Sequence, residues 1–268
     1  MLGWSGRVRF ANQPFRARFA RYGHLDCRTM TVIVSVFTPE GFVIAADGRR
    51  ISADSNETVT DEAQKIYFAD HPQFCFAYGW AHATTFDTAC GGRFDFDNQT
   101  QEIVTDLSKT RFQSADHFIR CLITAIYKNL VLCVGGNRLF PQDHVSGLLA
   151  KAIFVGYFNG KPTEGQVGFR HEHGYLLRPE YGFFAEGPHD LAILSGSEII
   201  ADRMDGVDPK TLVEAANRTE VYVRQCISGC GTVSDCVGFG GHVHMASVTP
   251  DGHKWIIPPV GNNSCRMT

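Results

Sequence analysis

Residues 32–37 (VIVSVF) are apolar apart from Ser35, the pattern of a strand covered on both faces. The turn-forming run 38–41 (TPEG) follows, and 42–46 (FVIAA) resumes the apolar stretch, so this segment predicts a hairpin. A second hairpin is predicted from 66–68 and 74–78 about the breaker Asp70-His71-Pro72-Gln73. Further strands are expected at 152–158, 191–194, 243–248 and 255–257, with Asn159-Gly160 and Pro250-Asp251-Gly252 as terminators. Phe118, Leu122, Ile126 and Leu130 recur at helical spacing after a cap at Ser114 or Asp116. A second helix is expected to start with Asp208 as cap and Pro209 at the first helical position, and to run through Leu212, Ala215, Ala216 and Val223 towards Gly229. Residues 90–98 (CGGRFDFDN) read as a loop. Strands, then helices, then strands, without regular βαβ alternation, predict an α/β (α+β) chain of packed antiparallel sheets flanked by helices, with no internal repeat and no linker.

Composition narrows the class. The 268 residues are 44% hydrophobic and 20% charged, with a net charge of −3, which excludes a disordered chain and gives no basic footprint for nucleic acid. The apolar stretch 122–132 is broken by Lys128 and Asn129 well short of a membrane span. Residues 1–30 differ from the rest: six arginines against Asp26 give +5, leaving the other 238 residues with 19 basic and 27 acidic side chains, net −8. This leader has no apolar secretory core. It fits a transit segment, a propeptide, or translated sequence upstream of a start at Met30, and the small residue after Met30 favours the third. The remainder, 31–268, reads as a single domain.

The nine cysteines, with no secretory signal, read as free thiols in a reducing, cytoplasmic compartment. Cys226, Cys230 and Cys236 lack zinc-knuckle spacing. His171-Glu172-His173 is not a helical metal motif, and His242 and His244 would share a strand face, so both groups read as surface or strand residues. Neither a metal nor an organic cofactor is expected.

Geometry then singles out a few polar residues. A hairpin turning at Pro39 and Glu40 sets Phe37 opposite Phe42 and Val32 opposite Asp47, which puts Thr31 beside Asp47. A hairpin turning at Pro72 sets Lys65 opposite Gly79. Taken singly, a Thr opening a strand, an Asp ending one, a Lys and a Gly are ordinary.

Together these segments resemble the start of a proteasome β-type subunit, within the N-terminal nucleophile (Ntn) hydrolases. The resemblance rests on 31–49 (TVIVSVFTPEGFVIAADGR), Lys65-Ile66 and 77–81 (AYGWA), and continues in 192–197 (AILSGS), Gly240-Gly241-His242-Val243 and 248–252 (VTPDG). It spans residues 31 to about 257. It implies a four-layer αββα sandwich of two antiparallel sheets and a threonine-type hydrolase of amide, most readily peptide, bonds. Thr31 would be nucleophile and, through its α-amine, base; Asp47 and Lys65 would tune it; Gly79 would donate to the oxyanion and Ser195 would support the amine. Ile51, Tyr67, Ala77 and Ala81 would line the substrate pocket, the alanines leaving room for a sizeable apolar side chain. The implied partners are a polypeptide or small amide substrate and further copies of the chain, possibly in a ring, and no nucleic acid or membrane. A silent ring-building subunit and a non-peptidase amidase are the alternatives. The sequence departs from the family in three places. Met30 replaces the Gly that precedes the catalytic Thr. Asp235 is displaced by one position, with Gly238-Phe239 where a Ser is expected. The acid that usually follows the third-strand Gly is missing from 80–83 (WAHA).

Overall fold

The computed structural model describes residues 31–51, 57–82, 85–87, 93–133, 136, 147–183, 188, 191–204, 208–236 and 238–260. In chain order the elements are β1 (Ile33–Thr38), β2 (Gly41–Ala46), β3 (Arg50–Ile51), β4 (Thr58–Thr60), β5 (Ile66–His71), β6 (Phe74–His82), β7 (Thr85–Asp87), β8 (Arg93–Asp95), α1 (Phe96–Asp106), a 3-10 turn (Leu107–Lys109), α2 (Ala115–Cys133), β9 (Gly147–Phe158), β10 (Lys161–Glu172), β11 (Tyr175–Leu176), β12 (Glu180–Phe183), β13 (Leu191–Ser195), α3 (Glu198–Asp202), α4 (Leu212–Ser228), β14 (His244–Thr249) and β15 (Gly252–Ile257). The fold is mixed α/β with antiparallel sheets and few helices. It divides into two compact units: the described parts of Arg28–Ile66 and His189–Thr268, and Tyr67–Pro188.

The first unit is built on the antiparallel sheet β13-β1-β2-β14-β15. The predicted hairpin register is observed, with Phe37 opposite Phe42 and Ile33 opposite Ala46. Beyond the strand ends the Asp47 amide donates to Val32 O at 3.2 Å. Val32, Val34, Val36, Val43 and Ala45 pack on Tyr222, Val223 and Cys226 of α4. That helix starts later than expected. Its N-cap is Thr211, in a capping box with Glu214, so neither Asp208 nor Pro209 opens it. The Glu214 carboxylate accepts from the amides of Lys210 (2.7 Å) and Thr211 (3.2 Å), which satisfies two donors near the helix start.

The second unit carries the sheet β11-β10-β9-β6-β5, with β12 also on β10. The break between β5 and β6 is only Pro72-Gln73, since the strands run through His71 and from Phe74. Phe74, Phe76, Tyr78 and Trp80 alternate onto one face and pack against Phe96 of α1 and Phe118, Leu122 and Ile126 of α2. Ring contacts tie sheet to helices, Phe74 to Phe118 at 4.2 Å and Trp80 to Phe96 at 4.7 Å between centroids. Ser114 caps α2 as expected, its hydroxyl accepting from the His117 amide at 3.1 Å. The expected loop at 90–98 is corrected over its described part. Arg93–Asp95 is strand β8 and α1 begins at Phe96, capped by Asp95, because Phe94 and Phe96 are both core residues.

Among the described residues, no helix is long and apolar enough to cross a membrane. None of the described cysteines, Cys75, Cys121, Cys133, Cys226, Cys230 and Cys236, is in a disulfide.

Candidate active site

At the open end of the β1–β2 hairpin, the strand alternation leaves Thr31 and Asp47 just outside the ladder. Thr31 is buried to 7% exposure, Asp47 to 0% and Lys65 to 5%. Lys65, immediately before β5, sends its ammonium back to the hairpin. Nζ donates to Asp47 Oδ1 at 2.6 Å and to Thr31 Oγ1 at 3.3 Å. The carboxylate is held on both oxygens: Oδ1 also accepts from Val32 N at 2.9 Å, and Oδ2 from Gly240 N at 3.1 Å. A buried ion pair with its remaining lone pairs occupied by backbone donors is the geometry in which such a pair persists. It leaves the Thr31 hydroxyl oxygen next to a fixed positive charge.

Ser195 ends β13 opposite Ile33, two residues along the strand from Thr31. Its hydroxyl is buried and has no hydrogen-bond partner among the described residues. The Ser-Gly-Ser turn beyond it is fixed by Asp235, whose Oδ1 accepts from Ser197 Oγ at 2.6 Å and whose Oδ2 accepts from Ile199 N at 3.2 Å. Asp235 thus anchors the turn that follows Ser195. Phe239 is a fully buried core residue.

Three supports were not singled out from the sequence. Arg49 grips Asp61 with two bonds, Nε to Oδ1 at 2.6 Å and Nη2 to Oδ2 at 3.1 Å. This pairing raises the Arg49 pKa and lowers that of Asp61. Arg49 N donates to Gly240 O at 2.9 Å and His242 N to Asp61 O at 2.7 Å, so the pair clamps the loop that offers Gly240 N to Asp47. A Cβ at Gly240 would meet the Arg49 guanidinium, which would have to shift to make room.

The third support is His244. It lies on β14 opposite Ala46, fully buried, and its Nε2 accepts from Lys65 N at 2.9 Å. Burial, together with the Lys65 charge, pushes its pKa down to about 3, so the ring is a neutral acceptor. His242 lies before β14 and contacts Pro258 O at 2.9 Å through Nε2; the shared strand face expected for the two histidines is not formed.

The other residues named from the sequence are placed as follows. Ile51 is in β3, half-buried, in the first unit. In the second unit, Gly79 lies in β6 opposite Ile153, Ala77 and Ala81 are fully buried on the same strand, and half-buried Tyr67 in β5 stacks on Tyr78 at 5.7 Å. His171 and Glu172 end β10 and His173 begins the following turn.

No protein-family model and no curated protein matches the chain. Among solved structures, Anbu from Hyphomicrobium sp. strain MC1, as a (Gly-1) mutant, matches with a TM-score of 0.50 and 16% identity, covering 85% of this chain and 87% of that one. The fold is proteasome-like. At this identity the likeness concerns the fold, and the chemistry has to be argued from the residues.

Proposed function

We propose that the protein is a threonine-type Ntn hydrolase that cleaves amide bonds, peptide bonds in the first place, through an acyl-enzyme. The observation that carries this reading is the buried triad in which Lys65 Nζ bridges Asp47 Oδ1 and Thr31 Oγ1. A hydroxyl 3.3 Å from an ammonium loses its proton more easily, because the cation favours the alkoxide. A terminal amine at Thr31, with an ordinary pKa of about 7.7–8.0, supplies a base within the same residue.

In this reading the chain is active once its first residue is Thr31. The amine takes the hydroxyl proton, directly or through one water, as Oγ1 attacks the amide carbonyl. The tetrahedral oxyanion collapses, the C–N bond breaks, and the leaving amine takes the proton from the α-ammonium. Water then attacks the ester, the same amine accepting its proton, and the acid is released with Oγ1 reprotonated. Gly79 would donate its N–H to the oxyanion, a contribution of typically about 10²- to 10³-fold. That role, the pocket roles of Ile51, Tyr67, Ala77 and Ala81, the four-layer αββα arrangement and assembly of several copies all come from the resemblance. The buried Ser195 hydroxyl supports the scheme, since a free amine at Thr31 would give it the partner it lacks among the described residues.

Turnover of acetylated peptide coumarylamides by protein beginning at Thr31, compared with Thr31→Ala and Lys65→Met, tests the reading. Activity that falls at least about 10³-fold in both variants supports it. Equal activity of Thr31→Ala and wild type excludes Thr31 as nucleophile, and a wild type that neither turns over nor is acylated points to a silent structural subunit.

A further inference from the structure

Ser195 ends β13, and the ladder there is irregular. Ser195 pairs with Ile33 but Ile193 pairs with Val34, so β13 carries one extra residue, Leu194, against β1. A bulge of this kind bends the strand and re-aims the side chain beside it. The β1–β13 ladder therefore does not by itself decide where the Ser195 hydroxyl points. That falls to whatever holds the Ser195-Gly196-Ser197 turn.

Two side chains of the first unit hold it. Asp235 accepts from the Ser197 hydroxyl and from the Ile199 amide. The other is Tyr222 of α4, fully buried, whose hydroxyl donates to Ser197 O at 3.1 Å. The turn lies directly on this phenol: a Cβ at Gly196 would overlap the Tyr222 hydroxyl and meet Cζ at 3.1 Å. Burial pushes the Tyr222 pKa well above that of an ordinary phenol, so the hydroxyl stays protonated and keeps donating. The ring belongs to the same buried cluster as Val32, Val34 and Val36, the segment that begins at Thr31. One side chain is thus packed with the strand behind Thr31 and bonded to the turn behind Ser195.

We propose that Tyr222 is the positioning residue for Ser195: by tying the bulged end of β13 to the core beneath β1, it brings the Ser195 hydroxyl to the α-amine of Thr31. The inference rests on the hydrolase reading and adds a residue to the machinery of that site.

Tyr222→Phe isolates this role. It keeps the ring in the core, and Ser197 O still accepts from Ala201 N at 3.1 Å, so no buried acceptor is orphaned. Wild type, Tyr222→Phe, Ser195→Ala and the double variant are compared, each beginning at Thr31. The pKa of the α-amine is read from the pH dependence of its carbamylation by cyanate, followed by the mass of the N-terminal peptide, which requires no turnover. Ser195→Ala is expected to move that pKa by at least about half a pH unit, Tyr222→Phe to move it the same way by at least about half as much, and the double variant to match Ser195→Ala. In turnover of the acetylated peptide coumarylamide, Tyr222→Phe should lower kcat at least about fivefold with KM within about twofold, and cause no further loss in the Ser195→Ala background. An amine pKa unmoved in Ser195→Ala or in Tyr222→Phe, a kcat that does not fall, or an equal effect of Tyr222→Phe with and without Ser195 each overturns the proposal, since Tyr222 then only packs. Coupled pKa shifts in a protein that hydrolyses no amide support the positioning and overturn the hydrolase reading, so the two fail separately.

Discussion

Replacing Asp47 by Asn changes one atom of the buried triad and removes its negative charge. The Lys65 ammonium, 5% exposed, then faces an uncharged partner in a site that water barely reaches. Breaking a buried pair from one side typically costs about 3–5 kcal/mol, because the remaining charge is left desolvated. The amide also supplies only one acceptor oxygen where the carboxylate had two, each held by a backbone N–H. Whichever way it turns, Val32 N or Gly240 N meets an NH₂ group, and an orphaned buried donor adds about 1–3 kcal/mol. A combined loss near 5 kcal/mol shifts a urea midpoint by about 2 M at a slope of about 2.5 kcal/mol/M. Adding Lys65→Met removes the stranded cation, so the double variant should recover at least about 2 kcal/mol of that loss. Urea denaturation of the two single variants and the double variant measures this coupling. A loss below about 1 kcal/mol in Asp47→Asn, or simple additivity in the double variant, would refute the ion-pair account.

Other consequences follow from the same geometry. His244 is neutral in the fold, with its pKa at about 3, and takes a proton near 6.5 when unfolded, so the unfolded chain binds more protons between those values and stability falls as pH falls below 6.5. At pH 5 that amounts to about 2 kcal/mol, and His244→Gln, which keeps an acceptor for Lys65 N, should lessen the drop in Tm between pH 7.5 and 5 by about 4–8 °C; parallel pH profiles would contradict the assignment. Gly240→Ala should drive the Arg49 guanidinium off Asp61 and cost about 1–3 kcal/mol together with at least about tenfold in turnover, and unaltered turnover would show that the clamp does not position Asp47. Thr211→Ala removes the cap of α4 and should cost about 1 kcal/mol in thermal denaturation without affecting turnover.

What the sequence made legible was local or nearly so. The β1–β2 register follows from one turn and a period of two, which places Thr31 beside Asp47. Helix α2 followed from four apolar residues at one spacing and the Ser114 cap. The start of α4 was misread because Pro209 is an attractive first-turn residue, whereas the Thr211–Glu214 capping box was the stronger signal and was in plain view. Residues 90–98 read as a loop on account of Gly91, Gly92 and the aspartates, although within the described part Phe94 and Phe96 are core residues and Asp95 is a helix cap.

The site's supports were hidden for a different reason. Gly240 N reaches Asp47 across 193 positions, and His244 reaches Lys65 across 179. No local periodicity encodes such pairs. Only the β2–β14 register, Ala46 opposite His244, brings that strand to the hairpin's open end.

The central claim is that Thr31 is a nucleophile whose own amine is the base. Intact-mass measurement after exposure to a peptide epoxyketone, a reagent that needs both groups on one terminal threonine, tests it most directly. The account predicts one adduct on chains that begin at Thr31 and none on Thr31→Ala. Chains that begin at Thr31 and remain unmodified at saturating reagent would contradict it.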